Sequence, residues 1–197
     1  MPQGVGLDEV KAAARGCRAC ELWEPATQTV FGTGPASARI VFVGEQPGDK
    51  EDLAGEPFVG PAGKLLDRAL AEAGIDRADA YVTNAVKHFR FTPTPKRRIH
   101  QSPEAMHINA CRPWLDAELA LLVPEVVVCL GAVAAKAMIS PSFRVTKDHG
   151  KLLPRSIDLF EDAGVGQSWL MATTHPSAIL RTPEESRAAA YDAMVAD

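Results

Sequence analysis

"ARIVFVGEQPGDKEDLAGEPFVGPAGKLLDRALAEAG", residues 38–74, contains a change of period that decides the fold. Residues 38–45 form a short, β-branched apolar run closed by glycine, as a strand buried on both faces requires. Residues 61–74 open on Pro61 and end on Gly74, with Leu65, Leu66, Ala69, Leu70 and Ala73 on one helical stripe. The same step recurs outward from this stretch. Residues 79–86 read as a strand, and a helix begins near "SPEAMHINAC". Residues 125–131 lead as a strand into "AVAAKAM", and 168–177 precede a C-terminal helix in "TPEESRAAAYDAMV". Alternation of this kind predicts an α/β fold, a mainly parallel sheet with helices on both faces. Residues 140–167 show no comparable pattern; a connecting hairpin is expected there, with Arg144, Lys147 and His149 as further candidates for contact with a partner.

A chain of 197 residues, 46% hydrophobic and 23% charged, with no low-complexity run, is expected to form one globular domain over residues 1–197. The N-terminus lacks the basic, apolar, small-residue order of a signal peptide, and no apolar run reaches the roughly 18 residues that span a bilayer. The expected location is the cytoplasm, with no membrane partner. Formal net charge is -4, yet Lys87, Arg90, Lys96, Arg97, Arg98 and Arg112 cluster with His88, His100 and His107, opposed only by Glu104. Within this segment "TPTPKRRIHQSPE", residues 92–104, reads as a proline-framed basic loop with His100 at its tip. Such a face suits a polyanion; a merely solvated loop is the alternative.

Ligands of parallel α/β sheets bind beyond the carboxyl ends of the strands. That rule directs attention to Glu45 after the first strand, Asn84 at the end of the second and His175 in "HPS" after the fourth. Phe58 in the glycine-rich loop could stack on a planar ligand, with core packing as the alternative. Glu45 could handle a proton or support a developing positive charge, Asn84 could read a pyrimidine edge, and His175 could donate to an oxygen gaining charge. Neither G-x-G-x-x-G nor a Walker loop occurs, which leaves nucleotide-cofactor readings without support. Cys17 and Cys20 form C-x-x-C, and Cys111 and Cys129 follow at long range. Four thiolates suit tetrahedral zinc or a [4Fe-4S] cluster, and spacing does not decide between them. A metal here would pin the N-terminal segment to the later helix and strand.

Taken together, "GEQPG", "EPFVGPAGKLLD", "VTNAVKH", "HPS" and the four cysteines resemble the iron-sulfur branch of the uracil-DNA glycosylase superfamily, in the family's order, from about Cys17 to about Leu180. The resemblance implies a three-layer αβα sandwich with a central four-stranded, mainly parallel sheet. It also implies a [4Fe-4S] cluster on Cys17, Cys20, Cys111 and Cys129, with zinc as the alternative occupant. Uracil would be extruded from DNA, single-stranded DNA included, and released as free base by a monomer. Phe58 would stack on the base, Asn84 would bond its pairing edge, and His175 would stabilise the uracil oxyanion. Gln46 stands where many superfamily members carry an aspartate that helps activate water; an amide cannot take that proton, so Gln46 can only position groups.

"KRRIH", residues 96–100, is similar to the insertion of UdgX-type proteins, which remain covalently attached to DNA through the loop histidine. By that resemblance His100 captures the electrophilic sugar carbon, Glu45 assists, and Lys96, Arg97 and Arg98 contact DNA, Arg98 alternatively positioning the loop. Two rival readings are a turnover glycosylase of the same fold and a non-catalytic, metal-stapled nucleic-acid-binding module. A redox protein is a third, with no partner electron carrier suggested by the sequence.

Overall fold

The structure, a computed structural model, describes residues 6–155 and 168–197. Its elements are α1 (Leu7–Ala14), β1 (Ile40–Gly44), α2 (Asp49–Ala54), α3 (Pro61–Glu72), β2 (Ala80–Asn84), β3 (Phe91–Pro93), β4 (Arg98–His100), α4 (Ala105–Leu122), β5 (Val126–Leu130), α5 (Gly131–Met138), α6 (Val145–Asp148), β6 (Leu153–Arg155), β7 (Ser168–Thr173), α7 (Pro176–Arg181) and α8 (Glu184–Ala196). Short 3-10 turns lie at Glu21–Trp23 and Arg77–Asp79.

The four apolar runs become four parallel strands in the order β2-β1-β5-β7, and β6 adds an antiparallel edge beside β7. The fifth strand comes from the patternless region: β6 is three residues long and carries Pro154, which suits an edge position. It makes the expected connecting hairpin with β7, although residues 156–167 of that connection lie outside the described residues. The other edge, β2, is buried throughout because an extended segment covers it, with Thr33 exchanging both backbone hydrogen bonds with Val82.

Helices cover both faces. Val41, Val43, Val127 and Cys129 pack against Leu115 and Leu119 of α4 and Ala134 of α5. Phe42, Val82 and Val128 pack against Leu66 and Leu70 of α3, Ile179 of α7 and Tyr191 of α8. This is the expected three-layer sandwich. The connection after β1 runs to β2 and that after β5 runs to β7, so they leave two adjacent strands in opposite directions and open a crevice beyond the carboxyl ends of β1 and β5, with the end of β2 beside it. Among the described residues no helix is long and apolar enough to cross a membrane.

Candidate active site and metal-ligand cluster

Glu45, Gln46, Phe58, Asn84, His100 and His175 all line one cavity of about 420 Å³ at that rim. Its floor depends on a missing side chain. A Cβ on Gly44 would sit 2.4 Å from Asn84 Oδ1 and 2.7 Å from Phe58 Cζ, so glycine at the end of β1 is what lets the amide and the ring meet. Phe58 has a positive φ of 59°, a costly conformation for an aromatic residue that turns its ring inward where a β-region backbone would not. The Phe58 and His175 rings lie roughly parallel, with centroids 6.1 Å apart.

His175 caps the N-terminus of α7, and its Nδ1 accepts a hydrogen bond from Ser177 N at 3.0 Å. The ring proton is therefore on Nε2, available to donate. Burial, assisted by the nearby Arg181 and His100, pushes its pKa down to about 4, so the imidazole is a neutral donor at physiological pH. Gly131 opens α5 at φ +86° directly beneath this histidine, where a Cβ would lie 2.8 Å from His175 Cβ.

The basic segment is a β-hairpin. β3 and β4 pair antiparallel, Phe91 opposite His100 and Pro93 opposite Arg98, and the turn is closed by Thr94 and Arg97. His100 therefore sits at the base of the hairpin, not at its tip: strand pairing places the histidine beside the sheet rim and only residues 94–97 project. Its ring packs near Phe89, centroids 5.9 Å apart. The side-chain nitrogen of Gln46 lies 3.0 Å from His100 Nε2 and 2.9 and 3.2 Å from the carbonyl oxygens of Gln101 and Arg90, so its two protons are shared among three acceptors. An amide nitrogen cannot accept, so this contact is a hydrogen bond in the His100 tautomer whose proton is on Nδ1. Glu45 Oε1 is 3.7 Å from the same Nε2; it is buried and has no hydrogen-bond partner among the described residues. Burial raises the Glu45 pKa, while His100, Ser102 and Arg181 act to hold it down.

Arg98 and His100 share one face of β4. Arg98 donates to Asp49 Oδ1 at 2.6 Å and to the fully buried Asp52 at 2.5 Å, with its guanidinium over Phe91 and Phe89. It staples the hairpin to α2, the loop-positioning alternative, with its donors facing carboxylates. Lys96 and Arg97, by contrast, are exposed and make no ion pair among the described residues.

The four cysteines do not converge. Cys129 points from β5 into the α4/α5 side of the core, where desolvation pushes its pKa up to about 12. Cys20 and Cys111 instead share a small cluster with Leu22 and Val86, and Cys17 lies within electrostatic reach of both. Cys17 Sγ accepts from Trp114 Nε1 at 3.1 Å, and Cys111 Sγ from Lys87 N at 3.4 Å. As they stand, no three His, Cys, Asp or Glu side chains among the described residues are arranged to hold a metal ion. His88, a further nitrogen donor, directly follows Lys87, whose N–H bonds Cys111 Sγ. Thr29 gives its only hydroxyl proton to the carbonyl of Ala14, which also accepts from Cys17 N. The Thr29 oxygen must then accept from His88 Nε2 at 2.9 Å. This leaves His88 Nδ1 as a lone pair, buried and without a partner among the described residues. The expected ligand Cys129 thus stands apart from Cys17, Cys20 and Cys111, and His88 carries no spacing signal in the sequence.

Several pocket residues escaped sequence reading. Glu51 ties two glycine turns together, accepting from Gly48 N at 3.1 Å and Gly60 N at 2.7 Å. Ser102 flanks Glu45, and Arg181 brings a cation to the pocket wall. Arg181 stands one helical turn after Ser177 of "HPS", the only cue the sequence offered.

Residues 31–197 match the family model described as the Uracil DNA glycosylase superfamily. The chain is 36% identical over 183 residues to a type-4 uracil-DNA glycosylase of Archaeoglobus fulgidus, covering 90% of this chain and 85% of that one. It is 37% identical over 179 residues to the protein of the same description from Thermotoga maritima, covering 89% and 83%. Against the type-4 enzyme of Sulfurisphaera tokodaii it is 38% identical over 150 residues, 74% of this chain but 65% of the relative's length. A crevice built from the ends of the same strands, matched along nearly the whole chain, leaves one conclusion: the protein belongs to the uracil-DNA glycosylase superfamily.

Proposed function

We propose that the protein excises uracil from DNA and captures the resulting abasic sugar on His100. The observation that carries the second half of this reading is the place of His100 on the pocket wall, its Nε2 3.0 Å from the Gln46 amide nitrogen and 3.7 Å from the Glu45 carboxylate. Gln46, an amide, cannot take a proton from water; it contacts His100 instead.

The steps follow from the side chains. An extruded uracil stacks on Phe58 and bonds its pairing edge to Asn84, whose amide supplies a donor and an acceptor side by side. The C1′–N1 bond breaks with its electron pair leaving on uracil, and His175 Nε2–H stabilises the oxygen that gains charge. His100 Nε2, giving up its contact with the Gln46 amide, then donates its lone pair to the cationic C1′, forming a C–N bond and an imidazolium; with the ring proton on Nδ1 no proton need move. Glu45, 3.7 Å away, stabilises first the cationic sugar and then the imidazolium. Lys96 and Arg97 contact backbone phosphates, in single-stranded or duplex DNA.

Cys17, Cys20 and Cys111 with His88 Nδ1 are the residues that would hold a [4Fe-4S] cluster, with zinc as the alternative. Nitrogen and sulfur donors suit either, and a metal answers the unpartnered histidine lone pair. When bound, the group would brace the N-terminal segment against α4 and the chain after β2.

The test is a denaturing gel after mixing the protein with a uracil-containing single-stranded oligonucleotide and a thymine control. An SDS-resistant protein–DNA band seen only with uracil is expected. Free abasic DNA without the band would indicate turnover, and no excision would leave a DNA-binding module.

A further inference from the structure

Lys87 is a fully buried lysine that the chemistry above does not use. Its ammonium makes three short contacts, to Thr83 Oγ1 at 2.7 Å, the backbone carbonyl of Asn84 at 2.8 Å and Glu118 Oε2 at 2.5 Å. All three of its donors are thereby satisfied. Glu118, equally buried, also accepts from Gly32 N, Tyr81 Oη and Thr83 Oγ1 at 2.9–3.0 Å. A buried ion pair is a poor explanation of stability, because an apolar pair of similar volume commonly holds a fold as well. The geometry offers a better one.

We infer that Lys87, held by Glu118, is a positioning residue for base recognition: it fixes the end of β2 so that Asn84 presents its amide to the extruded uracil. The inference rests on the glycosylase reading of the pocket. The peptide after Asn84 is gripped from two sides, by the Lys87 ammonium on its carbonyl and by Gly44 O on the N–H of Ala85. The Asn84 side chain starts from that fixed backbone and is wedged between Gly44 and Phe58. Without the ammonium, the Asn84 carbonyl loses its charged donor, and the peptide plane is free to turn the amide away from the base. Because Glu118 cancels the lysine charge, the effect on the departing uracil anion is geometric, not electrostatic. The same residue donates its own backbone N–H to Cys111, so the ligand cluster and the base-reading asparagine are joined through Lys87.

The test replaces the pair together, Lys87→Met with Glu118→Leu, avoiding a lone buried charge. Positioning predicts a folded protein with unchanged affinity for uracil-free DNA. Single-turnover uracil excision should be slower by about 10- to 100-fold, the equivalent of one charged hydrogen bond. In an Asn84→Ala background the same replacement should add almost nothing. Thr83→Val, which keeps both charges, provides a milder variant should the double one not fold; it should slow excision and be equally silent behind Asn84→Ala. Excision within twofold of the parent, or losses that multiply with that of Asn84→Ala, would overturn the inference. Should the parent protein release no uracil, the glycosylase reading falls separately. Crystal structures then decide this one: an Asn84 amide displaced by about 0.5 Å or more in the variant supports it, and an unmoved amide overturns it.

Discussion

The amide nitrogen of Gln46 lies 3.0 Å from His100 Nε2, a contact that favours the tautomer the proposed capture requires, with the ring proton on Nδ1. Gln46→Glu reverses that preference. A carboxylate would draw the ring proton onto Nε2 and repel the carbonyls of Arg90 and Gln101 that the amide now holds. Covalent capture should slow at least about tenfold, within the range of a positioned catalytic group. Uracil release should persist, measured as free base by chromatography beside the gel.

Arg98 and its neighbours should separate by mechanism. Arg98→Ala leaves Asp52 buried without its cation and frees the hairpin, so capture should fall at least about tenfold, with Arg98→Lys unable to restore the two-carboxylate geometry. Lys96→Ala or Arg97→Ala should leave capture at saturating DNA unchanged. Each should weaken binding and reduce the slope of log affinity against log salt by about one. Titrations at several salt concentrations distinguish the two patterns.

Much of this arrangement was written in the sequence, and the parts that were not have physical reasons. The apolar runs around Val41, Val82 and Leu170 read as strands, and their carboxyl ends pointed to Glu45, Asn84 and His175. The hairpin was hidden because Pro93 and Pro95 argue against strands, although an isolated ribbon tolerates them at its edge. Arg98 looked like a DNA contact because its partners, Asp49 and Asp52, lie more than forty residues earlier. Cys129 looked like a ligand because thiols can be counted. Its position in a strand faces it into the core, and no local pattern reveals the unpartnered His88 Nδ1.

Iron analysis tests that last distinction. Cys129→Ala should keep its iron and visible absorption, at a stability cost of about 1 kcal/mol for a small buried side chain. His88→Ala, like Cys17→Ala, should purify with less iron and weaker absorption. The reverse pattern would restore Cys129 as the fourth ligand.

His175 also predicts a pH dependence of stability. Its folded pKa of about 4 lies below the ordinary value of 6.5, so between these the unfolded chain binds a proton that the folded one does not. Its contribution is complete above pH 6.5 and is lost as pH falls toward 4, by on the order of 2 kcal/mol after allowance for partial solvent access. In urea unfolding across this window, His175→Asn, which keeps a cap acceptor for Ser177 N, should flatten the decline. Parallel curves for the two proteins would contradict the assignment.

The most direct measurement is peptide mass spectrometry of the protein after reaction with uracil-containing DNA, followed by nuclease and protease digestion. The account predicts one uracil released per protein and an abasic deoxyribose adduct on the peptide containing His100, at an imidazole nitrogen. Many uracils released per protein with His100 unmodified would contradict it.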